Sequence, residues 1–152
     1  MFEALFGKKR EPIQQAAALP DGMSFFVAGV EYRMDNLILL ATEQKRFKMP
    51  VEKLTNVDGK KLFRYYFKNE PVELIPEPTN PHDPDAIKVQ IAGQHIGYVP
   101  RTDTKMVKMF LDAGVSKLSA IISGGEYKIV KNGTVTNYSD PIQITIRVYR
   151  SK

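Results

Sequence analysis

Four prolines within nine residues, Pro76, Pro78, Pro81 and Pro84, constrain this chain more than any other feature. Each fixes its own φ and removes a backbone donor, so neither a helix nor a central strand can run through the segment. Asn80 and Asp83, set among them, can bond their own nearby backbone and tighten the turns. Periodic order resumes directly afterwards. Ile87, Val89 and Ile91 alternate with Lys88 and Gln90, the pattern of a strand with one buried face. Gly93 marks a turn. Ile96 and Val99 then flank Gly97, where the missing side chain permits a bulge or a close backbone approach. The stretch reads as a rigid polar loop carried on a β-ribbon, and both histidines, His82 and His95, lie in it.

The flanks are organised around this ribbon. Residues 1–20 read as a poorly ordered appendage, because Gly7, Pro12, Pro20 and the cluster Lys8-Lys9-Arg10 interrupt any packing pattern. A single domain is expected over residues 21–152. Met23 to Val30 reads as a strand continuing to Tyr32. Asp35 or Asn36 is placed to cap a helix reaching about Lys45, with Leu37, Ile38, Leu40, Ala41 and Gln44 on one stripe. Phe47 to Lys60 is expected to be largely irregular, with a turn at Asp58-Gly59. Lys61 to Phe67 and Val72 to Ile75 read as strands. Thr102 or Asp103 is expected to cap a second helix that Gly114 stops. Beyond it come a strand from Lys117 to Ser123, a turn or bulge at Gly124-Gly125 and a strand from Glu126 to Val130. Asn132-Gly133 signals a hairpin, and Pro141 leads into a last alternating strand.

Composition narrows the functional classes. The chain has 152 residues, a net charge of +5 and no cysteine, which excludes disulfides and thiolate metal sites and fits a cytoplasmic protein. No apolar run approaches the ~20 residues needed to span a bilayer. The charge is uneven. Residues 43–68 hold 8 basic and 3 acidic groups, residues 69–100 hold 1 and 5, and residues 101–152 hold 9 and 4. An acidic loop between basic flanks suits a ligand that carries both phosphates and hydroxyls, although a solvated surface explains the same pattern.

The run Glu77-Pro78-Thr79-Asn80-Pro81-His82-Asp83-Pro84-Asp85-Ala86-Ile87-Lys88-Val89, a turn, and then Ile96-Gly97-Tyr98-Val99 resembles the signature of the HIRAN domain family. The likeness extends to Phe26–Val30 and Val72–Ile75 upstream and to the helix-like segment downstream. It implies a mainly β (α+β) fold, a modified OB-like antiparallel β-barrel flanked by two helices. It also implies binding of DNA, in the best-understood member the 3′ end of a single strand. Family members occur fused to helicase-like ATPases, so a helicase or repair protein is an implied partner. Carried over residue by residue, Asp83 would accept from the terminal hydroxyl. Tyr32 and His82 would flank the end base or sugar, and Tyr98 and Arg101 would face phosphates; Lys88, which alternates outward from Ile87 and Val89, is placed to contact phosphate as well. The DNA-binding type has a basic residue before the Tyr32 position and usually tyrosine at the His82 position. Here Glu31 precedes Tyr32, and Arg33 is placed to supply the cation instead.

The residues themselves leave other readings open. Asp83 also suits a turn cap, Tyr32 and Tyr98 suit barrel-rim packing, and Lys88 suits the polar face of a strand. Arg64 and Tyr66, alternating with Phe63, Tyr65 and Phe67, form a weaker cation-and-ring candidate surface. No phosphate-binding loop is present, so the ATPase of the family's fusions is not expected here. Nothing in the pattern calls for a cofactor, and His82 and His95 lack companions for a zinc site. Two rivals remain. One is a protein-interaction module using the barrel groove. The other is a magnesium-dependent nuclease, in which Asp85 with Glu126-Tyr127-Lys128 would imitate an acid…acid-x-Lys motif. The expectation is a binding module without catalysis.

Overall fold

The computed structural model describes residues 19–152. The expected appendage falls almost entirely outside the described residues. Leu19, at its end, is buried, and its carbonyl accepts from Arg150 Nη1 at 2.8 Å. Nine strands and three α-helices follow: β1 Gly22–Phe26, α1 Met34–Leu40, β2 Thr42–Glu43, α2 Lys45–Lys48, β3 Lys61–Phe63, β4 Tyr65–Tyr66, β5 Val72–Pro76, β6 Ile87–Ile91, β7 Gln94–Tyr98, α3 Thr104–Ala113, β8 Val115–Lys131 and β9 Thr134–Arg150. All the strand ladders are antiparallel. They form a four-stranded sheet in the order β1-β9-β8-β3, a three-stranded sheet β5-β6-β7 and the small pair β2-β4. Among the described residues these ladders do not close into one barrel. No helix in that range is long and apolar enough to cross a membrane.

Alternation in sequence becomes burial in space. Ile87, Val89 and Ile91 of β6 and Ile144, Ile146 and Val148 of β9 are all fully buried, and Phe110 and Val107 of α3 pack into the same core. Each fully buried aliphatic side chain contributes about 1.5–3 kcal/mol relative to exposure, so the two sheets are held together chiefly by these inner faces.

One glycine joins the two main sheets. A Cβ on Gly97 would lie 2.2 Å from the Ala28 carbonyl oxygen and 2.7 Å from Val27 Cγ1. Its absence lets Ala28 and Tyr98 exchange backbone hydrogen bonds of 2.8 and 2.9 Å. The expected bulge is present too, as a register shift at Val89/Gln90 opposite this point.

Several boundaries differ from expectation for definable reasons. The first strand stops at Phe26 instead of reaching Tyr32, because Gly29 takes a left-handed φ of 79° and a 3-10 turn occupies Val30–Tyr32. The first helix ends at Leu40. Ala41 is extended, and Thr42–Glu43 pair with Tyr65–Tyr66, so tertiary pairing overrides the apolar stripe. Ile38 and Leu39 are left exposed. Neither Asp35 nor Asn36 caps α1, and the side chain of Asn36 donates to the His95 carbonyl at 2.9 Å.

Residues 61–67 divide at Arg64. Its N–H donates to Glu126 and its carbonyl accepts from Gln44, so the chain changes partners there. No side chain caps α3, and the Thr104 hydroxyl donates to the Pro100 carbonyl instead. Lys117–Val130 belongs to one continuous strand. Gly124 and Gly125, both at positive φ, form a bulge in it, close to Pro141 on β9.

Candidate nucleic-acid interface

The proline-rich segment folds as a pinned loop between β5 and β6. The Glu77 N–H donates to the Ala86 carbonyl at 2.8 Å and closes its base. Asn80 organises its interior. Its Oδ1 accepts from the N–H groups of His82 (2.9 Å) and Asp83 (3.1 Å), and its Nδ2 donates to Glu77 Oε1 at 3.1 Å. Asp83 continues the chain of bonds, with Oδ1 accepting from the Asp85 N–H at 2.9 Å. Prolines remove backbone donors here, and the two short polar side chains accept from those that remain.

This loop forms one wall of a cleft of about 410 Å³. Arg33, Asn80, His82, Asp83, Tyr98 and Arg101 line it. Five of the seven candidate residues are therefore brought together: Arg33, His82, Asp83, Tyr98 and Arg101. Gly97 explains part of this, because its close approach to Ala28 carries the segment ending at Arg33 against β7. Tyr32 does not line the cleft. The 3-10 turn leaves it 82% exposed, with its ring beside Gly29. Lys88 does not line it either, and its ammonium lies 3.8 Å from Glu77.

Asp83 has both of the roles considered for it within reach. Oδ1 is engaged by the turn, while Oδ2 lies 3.6 Å from Arg101 Nε. A carboxylate offers about four acceptor sites, so the turn bond leaves capacity for a hydroxyl. The Arg101 side chain is 80% exposed, and a pair this exposed is worth at most about 1 kcal/mol, so a ligand can rearrange it.

Tyr98 is held from behind. The His95 ring meets it edge-on at 4.9 Å, and His95 Nε2 lies 3.1 Å from the Gly97 carbonyl. Burial, followed by the neighbouring Glu77 carboxylate, raises the Tyr98 pKa, so the phenol stays protonated at neutral pH. Burial lowers the His95 pKa and the Arg33 charge adds to the effect, which keeps the imidazole neutral. Burial alone would raise the Glu77 carboxyl, but Asn80, Tyr98 and Lys88 outweigh it and hold Glu77 below its ordinary value. Glu77 and His95 thus support the cleft without lining it. Neither stood out as a site residue, because their roles depend on contacts across strands.

A second cleft, of about 480 Å³, adjoins the first and shares His82, Asp83 and Arg101 with it. Lys105 and Lys108 of α3 extend it. Sequence reasoning missed both lysines. The available signal was their own spacing of three residues, which falls on one face of α3 just after Arg101.

The other candidates are not assembled into a site. Arg64 Nη1 bonds the Glu126 carboxylate, and the guanidinium packs 4.9 Å from the Tyr65 ring and 5.9 Å from the Phe47 ring. Arg64 and Tyr66 therefore do not form an outward platform opposed to a buried Tyr65. Asp85 and Glu126 line different clefts, and each is paired with a cation, Lys108 and Arg64 respectively. Lys128 is buried and donates to the Phe47 carbonyl. No cluster of three or more metal-ligating side chains occurs among the described residues.

The site is thus a loop-walled cleft on antiparallel sheets, lined by Arg33, Arg101, Tyr98, His82 and one carboxylate, Asp83. The HIRAN domain family model matches residues 23–149. The chain therefore belongs to the HIRAN domain family, a family of nucleic-acid-binding modules. Neither the curated proteins nor the solved structures contain a match.

Proposed function

We propose that this protein binds the 3′-hydroxyl end of a single-stranded nucleic acid in the loop cleft and catalyses no reaction on it. The observation that carries this reading is the disposition of Asp83. One oxygen is fixed by the turn, and the other faces a cleft whose remaining charged walls are Arg33 and Arg101. An ionised carboxylate accepts a hydroxyl hydrogen and repels a phosphate, so it favours a free end over an internal linkage. Tyr98 and His82 supply rings for a base or sugar, and the two arginines supply donors for the preceding phosphate. The sheets and their Ala28–Tyr98 link support an OB-like roll as the scaffold. A module of this kind would orient helicase or repair machinery at exposed DNA ends.

The experiment is anisotropy titration of two short strands that differ only in a 3′-hydroxyl or a 3′-phosphate. Asp83→Asn is the informative variant, because the amide oxygen still accepts from the Asp85 N–H and preserves the turn. Wild type should prefer the hydroxyl strand and Asp83→Asn should not. Equal wild-type binding to both strands would remove end recognition.

A protein-interaction role has one observation in its favour. A third cleft, of about 450 Å³, lies between α1 and the β8–β9 hairpin, with Val30, Met34, Leu37, Ile122 and Ile142 on its walls. Substituting Met34 and Ile122 with serine would weaken a peptide partner and leave nucleic-acid binding intact.

A further inference from the structure

The two clefts that share His82, Asp83 and Arg101 adjoin at these residues, and taken together as a trench their far part differs in character from the near part. The near part has Tyr98 as its ring. The far part is walled by Arg101, Lys105 and Lys108, with Asp85 facing Lys108 Nζ at 2.5 Å. Lys105 and Lys108 project one turn apart from the same face of α3, whose opposite side is anchored by the buried Val107 and Phe110. The cation row is thus set on a rigid element.

We propose that this far part of the trench binds the phosphates of the nucleotides preceding the one held at Asp83. Asp85 competes with them for Lys108. The inference rests on the end-binding reading for direction, since the terminal nucleotide sits in the near part and the strand leaves along α3. It goes beyond that reading by assigning Lys105, Lys108 and Asp85 and by giving the site a length.

Three features favour an anionic ligand over an apolar one, and the end-binding reading makes that anion phosphate. The cations recur at helical spacing and exceed the carboxylates in the far part. Met106, the residue between the lysines that is exposed, is absent from the cleft lining. The Lys108–Asp85 pair has side chains 40% and 71% exposed, so it is weak and a phosphate can displace it. Asp85 then acts as a brake. It lowers affinity for any polyanion, which leaves discrimination to the Asp83 end of the trench.

The test uses the full chain and two thymidine strands with 3′-hydroxyl ends, a dinucleotide and a hexanucleotide, each titrated at several salt concentrations. Lys105→Gln and Lys108→Gln should bind the dinucleotide as wild type does. They should lose about three- to tenfold on the hexanucleotide, and each should flatten the salt slope by about 0.7. Asp85→Asn should tighten the hexanucleotide about threefold and leave the dinucleotide unchanged. Equal losses on both lengths, or none on the hexanucleotide, would overturn the proposal. So would a wild type that binds neither strand at low salt. A hexanucleotide ending in 3′-phosphate separates the two readings. If it binds wild type as well as the hydroxyl strand does, while the lysine variants still lose affinity, end capture fails and the phosphate track stands.

Discussion

The loop cleft and the turn half of the long hairpin are built from the same kinds of side chain, yet only one of them leaves its cations available. At the hairpin, Arg64 is held by Glu126 and, at 3.5 Å, by Glu43. Lys61 lies 3.2 Å from Asp140 and 4.6 Å above the Tyr127 ring, which itself stacks on Tyr138. Lys128 is buried against Phe47. In the loop cleft, Arg33 has no ion-pair partner among the described residues, and Arg101 makes a single long and exposed contact with Asp83. Cations and rings close together in sequence therefore do not define a binding surface. What distinguishes the two regions is whether the carboxylates are placed to consume the cations.

The comparison can be broken most severely at Gly97. A methyl group there would meet the Ala28 carbonyl at 2.2 Å and break the bridge that brings Arg33 to Tyr98. Gly97→Ala should destabilise the fold by about 3 kcal/mol and abolish binding, while Gly93→Ala, with open space around its Cβ position, should cost far less. Thermal denaturation and anisotropy read both effects. A wild-type melting point in Gly97→Ala would mean that the two sheets are not joined at this point.

The next effect sharpens the functional side. Asp83→Asn should reduce the preference for a hydroxyl end by about tenfold, the worth of one charge-assisted hydrogen bond. Arg64→Ala, in the contrasting region, should lower stability by about 1 kcal/mol and change nucleic-acid affinity by less than about twofold. A large affinity loss in Arg64→Ala would erase the distinction between the two regions.

The smallest effect is a pH dependence. The folded-state pKa of Glu77 is lowered, so its stabilising contribution is complete above the ordinary carboxylate value and is lost as pH falls through the lowered one. Glu77→Gln should therefore be less stable than wild type near neutral pH, by under about 1 kcal/mol, and the gap should close as pH falls below the ordinary carboxylate range. A gap independent of pH would show that Glu77 acts by packing alone.

Much of this architecture was legible because local chemistry dictated it. The prolines with Asn80 and Asp83 specify the pinned loop, alternation specifies β6 and the last half of β9, and Gly97 specifies a close approach. What could not be read were the partners of that approach. Nothing local says that Ala28 is the backbone group meeting Gly97, or that Gly29 ends the first strand and turns Tyr32 outward. Tyr32 was singled out by the family resemblance, at the end of a first strand expected to reach it, and that strand stops at Phe26, six residues earlier. Arg64 failed as a surface candidate for a related reason. Its partners Glu43 and Glu126 lie 21 and 62 residues away, and only the folded sheet brings them together. Lys105 and Lys108 were legible in principle from their three-residue spacing, but a pair of lysines on a helix face equally suits plain solvent exposure.

The most direct test of the central claim is a backbone amide NMR titration with a short 3′-hydroxyl thymidine strand. Binding in the loop cleft requires the largest shift changes at Arg33, His82, Asp83, Tyr98 and Arg101, with weaker changes along α3. Shifts confined to the cleft between α1 and the hairpin, or spread evenly over the basic surface, would contradict it.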